Sequence, residues 1–264
     1  MRLCSLLFVP GHRADRFDKA LAAGPDAVIV DLEDAVAPAD KPAAREALRA
    51  WLAPQRPVIV RINAAGTPWF DDDLALCGHP GVAAVMLPKA ERADTVGQLR
   101  QAGGLAVLPL IESAAGFAAL DAIARAPGVQ ALAFGSIDFQ VDLGMRDALE
   151  DELLYFRQRI VLASRLANIG APIDGVSTAI DDAAVLDADV QRARRLGFGG
   201  KLCIHPRQVA AVNTGFAPSE AERRWARRIV AAVQASGGAA VAVDGKMVDL
   251  PVLKRAEAIL REAG

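Results

Sequence analysis

Ala106-Val107-Leu108-Pro109-Leu110-Ile111-Glu112, followed by Ser113-Ala114-Ala115-Gly116, is the stretch on which the fold turns. Ala106–Ile111 carries no polar side chain, so a strand built from it must be covered on both faces. A single carboxylate closes the run, and a helical pattern over Gly116–Arg125 follows. Apolar strand, polar end, helix: this order is that of a parallel sheet with its chemistry at the strand ends.

The same order recurs on both sides of it. Upstream, strands are predicted over Ser5–Val9, Ala27–Asp31, Val58–Ile62 and Ala84–Leu87. Downstream they are predicted over Ala131–Phe134, Ile173–Val176 and Gly200–Ile204. Helices are expected between them, at Arg13–Ala22, Lys41–Leu52, Thr95–Ala102, Glu150–Asn168 and Asp181–Leu196. Eight strand–helix repeats in a chain of 264 residues point to a closed (β/α)8 TIM barrel of the α/β class rather than an open, doubly wound sheet. The barrel is expected over residues 1–216. Residues 217–264 form a C-terminal helical and lid extension. There, Ser219 and Glu222 make a capping box, a helix runs to Ser236, and Gly237-Gly238 stops it. A short strand at Ala239–Val243 and a last helix at Val252–Glu262 complete the chain.

Bulk properties narrow the function. Hydrophobic residues make up 53% of the chain and the net charge is −2. No long block of one sign occurs, so neither nucleic acid nor an anionic membrane is an expected partner. The three cysteines, Cys4, Cys77 and Cys203, are far apart and form no CxxC pair, which excludes a disulfide framework or zinc ribbon and fits a reducing cytoplasm. The apolar opening Leu3–Val9 is too short for a signal peptide, and no run reaches membrane-spanning length.

Polar residues gather where the strands end. Asp31, Glu33 and Asp34 close the second strand; Arg61 and Asn63 close the third. Lys89 follows the fourth, Glu112 the fifth and Asp138 the sixth. Asp174 lies in the seventh and His205 closes the eighth. Any one of them could be a cap or a turn residue, but the whole set on one rim is hard to assign to capping. Glu112 and Asp138, on neighbouring strand ends, offer oxygen ligands suited to Mg²⁺. The three histidines are scattered, so no zinc site is expected. Arg61 offers a planar fork for a substrate carboxylate. Metal and arginine together suit a substrate with a carboxylate beside a carbonyl or hydroxyl. Lys89 reads as an electrostatic or ion-pairing residue rather than a Schiff-base lysine.

The chain also resembles a known family. The motifs SLLFVPG (5–11), VDLEDAV (30–36), VRIN (60–63), LPKAE (87–91), PLIESAAG (109–116), FGSIDFQVDLG (134–144), GFGGKLCIHPRQ (197–208) and GKMVDLP (245–251) occur in the order seen in the citrate lyase β-subunit-like family. That family lies within the HpcH/HpaI aldolase/citrate lyase superfamily. The resemblance implies Mg²⁺ on Glu112 and Asp138, substrate on Arg61 and Glu112, and the acidic pair Glu33 and Asp34 near the metal's water shell. It makes Asp249 an acid delivered on a C-terminal segment, Met247–Pro251, from an adjacent subunit of a homotrimer. Asp249 could instead simply cap the last helix. The implied reaction is carbon–carbon cleavage of a citryl, malyl or citramalyl thioester of coenzyme A or an acyl-carrier protein. Arg61, Asp249 and Glu33 are the expected catalytic residues. A free-acid pyruvate aldolase and a non-catalytic metabolite-binding barrel are the alternatives. Cys4 and the pair Phe139-Gln140 depart from the family's usual residues.

Overall fold

The computed structural model describes residues 3–236 and 241–262. Eight parallel strands close into a barrel in chain order: β1 Ser5–Pro10, β2 Ala27–Asp31, β3 Val58–Arg61, β4 Val82–Leu87, β5 Ala106–Ile111, β6 Ala133–Phe134, β7 Ile173–Asp174 and β8 Gly200–Cys203. All eight expected strands are present, with ends shifted by a few residues. Closure depends on Gly200. A Cβ there would lie 1.9 Å from the Leu3 carbonyl oxygen, so only glycine lets β8 meet β1, where Lys201 N donates to Cys4 O at 2.7 Å.

Alternate residues along each strand fill the barrel interior. Leu6, Ile29, Ile59, Met86, Leu108, Leu110, Ala133, Ile173 and Leu202 belong to one buried cluster, the layered packing expected of such a barrel. This alternation fixes what reaches the rim. Asp31, Arg61 and Glu112 each stand two residues beyond an interior residue (Ile29, Ile59 and Leu110) and so share its inward direction. Asp174 and Lys201 stand one residue from Ile173 and Leu202, which turns them outward, toward the helices.

The helices are α1 Phe17–Ala22, α2 Lys41–Trp51, α3 Phe70–Leu76, α4 Ala93–Gly103, α5 Ala114–Ala118, α6 Leu120–Ala124, α7 Ser136–Asp142, α8 Leu154–Leu166, α9 Ala183–Leu196 and α10 Pro206–Phe216. The expected single helix over Gly116–Arg125 is two short helices that meet at Ala119. The pattern did not foretell α3, α7 or α10. Two of these are seven-residue helices, too short for an apolar period to stand out.

The chain divides into two compact units, Met1–Asn213 and Thr214–Gly264. In the second, α11 (Glu220–Ala235) begins with the expected capping box of Ser219 and Glu222. The expected stop at Gly237-Gly238 and the start of the strand at Ala239 lie outside the described residues. β9 (Val241–Val243) pairs antiparallel with β10 (Lys246–Val248) through Asp244 and Gly245, both at positive φ, the geometry a tight hairpin needs. α12 (Leu250–Glu262) packs Ala256 and Ile259 with Ala226, Ile229 and Val233 of α11. The Met247–Pro251 segment is therefore shared between a strand and the first turn of a helix rather than being an open loop.

Candidate active site

Asp31 and Arg61 form the base of the site. Arg61 donates through Nε to Asp31 Oδ1 at 2.7 Å and through Nη2 to Oδ2 at 2.6 Å. Asp31 also accepts from the main chain of Glu33 and Ala35, which curls the chain after β2 into a tight turn. Two edges of the Arg61 guanidinium are thus already engaged. Nη1 remains, 3.2 Å from Glu33 Oε2 and 3.9 Å from Asp34 Oδ2, and the ring of Phe8 lies 4.9 Å from the guanidinium carbon. The surrounding carboxylates hold the Arg61 pKa above its ordinary value, against desolvation.

The turn separates two acids that sequence placed together. Glu33 is buried, its side chain 7% exposed, and Lys89 Nζ donates to its Oε1 at 2.5 Å. Burial raises the Glu33 carboxyl above the ordinary range, opposed by Arg61 and Lys89. Asp34 is 53% exposed and lines the cavity; Glu33 sits behind it. Lys89 keeps its proton: burial pulls its pKa down, but the Glu33 bond together with the charges of Glu33, Asp34 and Glu112 outweighs that, and the net shift is upward. The electrostatic reading of Lys89 agrees with this, and a Schiff-base role does not.

Lys89 also acts through its main chain. Its φ of 46° is in the left-handed region, uncommon for a non-glycine residue. In that conformation its N–H donates to Glu112 Oε1 at 2.7 Å. The other oxygen, Oε2, is buried without a partner among the described residues. Gly135 makes room for it, since a Cβ at that position would stand 2.6 Å from Oε2. Desolvation, less the pull of the Lys89 N–H, pushes the Glu112 carboxyl up to about 8, and Glu33 and Asp138 add to the rise. Asp138, in the first turn of α7, is exposed and lines the same cavity.

A buried carboxylate with one oxygen lacking a donor among the described residues, lining a cavity together with a second carboxylate, fits a divalent cation. Among the described residues no three His, Cys, Asp or Glu side chains gather into a full cage. Mg²⁺ does not need one, because it binds through one or two carboxylates and keeps several waters. The cavity has a volume of about 370 Å³. Its polar wall is Asp31, Asp34, Arg61, Glu112, Asp138 and Ser136; the rest is mainly apolar, including Phe8, Phe134, Val176 and Leu202.

Other rim residues of the sequence reading have local tasks. Asn63 is buried and donates to Leu32 O and Asp73. Asp174 accepts from Arg157 Nε at 2.9 Å in a buried layer behind β7 and β8. His205 Nδ1 accepts from the Arg207 main chain at the start of α10. Phe139 points away from the cavity into an aromatic cluster with Phe117, Phe134 and Phe156. Gln140 bonds back to Ser136 O. Neither residue of that departure from the family pattern lines the cavity. Asp249, in the second unit, accepts from Val252 N at 3.3 Å and so caps α12. The sequence reading missed the left-handed Lys89 main chain and the space at Gly135; the only signals were a residue after Pro88 and a glycine one strand from Glu112.

With the geometry in place, known proteins can be compared. The family model described as HpcH/HpaI aldolase/citrate lyase matches residues 4–206. A citrate lyase subunit beta-like protein of Deinococcus radiodurans is 39% identical over 98% of this chain and 96% of its own length. The L-malyl-CoA/beta-methylmalyl-CoA lyase of Cereibacter sphaeroides is 34% identical over 97% and 93%. The crystal structure of CitE from Mycobacterium tuberculosis, in complex with magnesium, acetoacetate and coenzyme A, superposes with a TM-score of 0.89 at 39% identity and covers 100% of both chains.

Proposed function

The chain belongs to the HpcH/HpaI aldolase/citrate lyase family and is a carbon–carbon lyase, and we propose that it cleaves a 3-hydroxyacyl thioester into an α-keto acid and an acyl thioester. The observation that carries this reading is Glu112, whose buried Oε2 has no hydrogen-bond partner among the described residues, lining one cavity with Asp138 and Arg61. Glu112 and Asp138 would hold Mg²⁺, as the magnesium-bound relatives support. When bound, the ion supplies a Lewis acid for the oxygen on which negative charge develops.

The remaining roles belong to the chain's own side chains. Arg61 takes the substrate carboxylate through Nη1, its other edges being fixed by Asp31. The acidic turn of Glu33 and Asp34 receives the hydroxyl proton, with Asp34 on the cavity side and Glu33 tying Lys89 and Arg61 into place. Loss of that proton breaks the carbon–carbon bond. The keto acid stays behind, and the thioester leaves as an enolate that must be protonated at carbon. Asp249 of a neighbouring copy is the donor in this reading, in a homotrimer; the exposed Met247 and Leu250 on either side of it support a covering role for the segment. Three buried cysteines, far apart in the sequence, support a reducing cytoplasm. No described helix is long and apolar enough to cross a membrane.

The wall also speaks to the acid. Arg61 is the one cation among the cavity-lining residues, so one substrate carboxylate is provided for and a second would face carboxylates or apolar side chains. A keto acid with a small apolar substituent, such as pyruvate, suits this wall better than oxaloacetate. A panel of citramalyl, malyl and citryl thioesters of coenzyme A, assayed for keto-acid release with and without Mg²⁺, tests the proposal. Metal-dependent release is expected, fastest from the citramalyl thioester. Release only from free hydroxy-keto acids would make the chain an aldolase, and no release from any of them would leave a binding barrel.

A further inference from the structure

Lys41, the first residue of α2, is an unlikely place for a buried cation on general grounds. Its side chain is 6% exposed, and a positive charge in the first turn of a helix opposes the helix dipole. Burial lowers its pKa, although Glu33, Asp31, Asp73 and Asp34 pull the other way. Both its hydrogen bonds go to main-chain carbonyls: Leu32 O at 2.9 Å and Glu33 O at 2.8 Å. The ammonium also stands 5.1 Å from the centre of the Trp69 ring. A charge kept in such a place must be offset by what it holds.

What it holds is the acidic turn. Leu32 and Glu33 are the residues on which the direction of Glu33 and Asp34 depends. From above, Asp31 secures the turn by accepting from Glu33 N and Ala35 N. Lys41 grips the same turn from below. We propose that Lys41 is a positioning residue of the active site, whose ammonium pins the Leu32 and Glu33 carbonyls and so keeps Glu33 on Lys89 and Arg61 while Asp34 faces the cavity. The proposal rests on the lyase reading of that cavity. It adds a buried residue that touches neither the metal ligands nor the cavity.

The structure also indicates that the test variant will fold. In Lys41→Met, Leu32 O keeps its bond from Asn63 Nδ2 at 3.0 Å, and Glu33 O keeps the one from Val36 N at 3.0 Å. Neither carbonyl is orphaned, and a buried charge is removed. Two measurements are needed on purified full-length protein. Amide hydrogen exchange should be about tenfold faster in residues 32–36 of Lys41→Met, with the β-strands unchanged, because local opening sets exchange there. In the same variant kcat should fall about tenfold or more while the thioester KM stays within about twofold, since misplaced groups lose transition-state contacts rather than ground-state binding. Lys41→Gln, which keeps an N–H donor and drops the charge, should show the same split at smaller size and serves if the Met variant is too unstable to assay. A lysine that merely supports α2 would lower the melting temperature, leaving exchange in the turn and kcat unchanged; that result overturns the proposal. If wild-type protein cleaves no thioester, the lyase reading fails, and the exchange experiment still decides whether Lys41 holds the turn.

Discussion

Two groups of charged residues stand at the C-terminal half of this barrel, and they do opposite work. In the first, Asp31, Arg61 and Glu112 line the cavity, and Glu33 and Lys89 pair with each other behind it. The second, Asp174, Arg157, Lys201, Asp189 and Arg192, is packed behind β7 and β8. Both are rich in short ion pairs. Both also leave a buried carboxylate oxygen without a partner, Glu112 Oε2 and Asp174 Oδ2. The difference lies in what faces that oxygen. Glu112 lines a cavity together with Asp138, whereas Asp174 Oδ2 has Lys201 Nζ at 3.9 Å, and that ammonium donates to Gly175 O at 2.6 Å. An unsatisfied acid is a ligand-binding group only when its open side is a cavity. Facing a buried cation, it is part of the scaffold.

The sharpest way to break this comparison is at Glu112. Glu112→Gln keeps the shape and the bond from Lys89 N but removes the negative charge. A metal's share of transition-state stabilisation is several kcal/mol, and about 4 kcal/mol is about a thousandfold in rate. Activity should fall by about that factor, and the melting temperature should not fall, because a desolvated carboxylate without its cation supports nothing in the fold. Thermal denaturation and keto-acid release, measured on the same preparation, check both halves. A variant that is active, or one that is unfolded, would place Glu112 with the scaffold group.

Asp174→Asn makes the converse case. It leaves Arg157 and Lys201 buried with less negative charge between them. Removing one partner of such a group costs about 3–5 kcal/mol, read as a lower midpoint of urea unfolding. The rate per folded molecule should stay within about twofold, since Asp174 points away from the cavity. Loss of rate at unchanged stability would show that the two clusters are coupled.

The comparison also explains how far the sequence could be read. Eight apolar runs ending in polar residues located the barrel without a structure. Arg61 ends its strand, and Glu112 and Asp138 follow theirs within a few residues, which is why sequence set them on one rim; the three line one cavity. Asp174 was set beside them as a carboxylate within the seventh expected strand, Ile173–Val176. Parity would have separated them: Glu112 is two residues past Leu110, and Asp174 is one past Ile173. The division of labour between Glu33 and Asp34 was not legible, because adjacent residues in a turn have no fixed period. Asp31 and Lys41 bond the main chain of this turn, and Lys89 and Arg61 hold the side chain of Glu33, the buried acid. The place of Asp249 was illegible for a different reason, since its hydrogen bond to Val252 N is local and the same residue type serves equally as a cap.

Arg61 belongs to both kinds of cluster at once, and the smallest of these effects should expose that. Nε and Nη2 serve the fold through Asp31, leaving Nη1 for substrate. A lysine has one nitrogen on a flexible stem and cannot keep a two-point bond to Asp31 while reaching into the cavity. In Arg61→Lys the ammonium should stay with Asp31, because that carboxylate is buried and already directs two main-chain N–H groups. The substrate carboxylate then loses its partner. A hydrogen bond to a charged group is worth about 1.5–3 kcal/mol, so kcat/KM should fall about ten- to a hundredfold, mainly through KM for the acid half of the substrate. Steady-state kinetics in the condensation direction, with the keto acid varied at saturating acyl thioester, isolates that term. If kcat/KM is unchanged while the melting temperature drops, Arg61 is structural alone, and the substrate carboxylate must be held elsewhere on the rim.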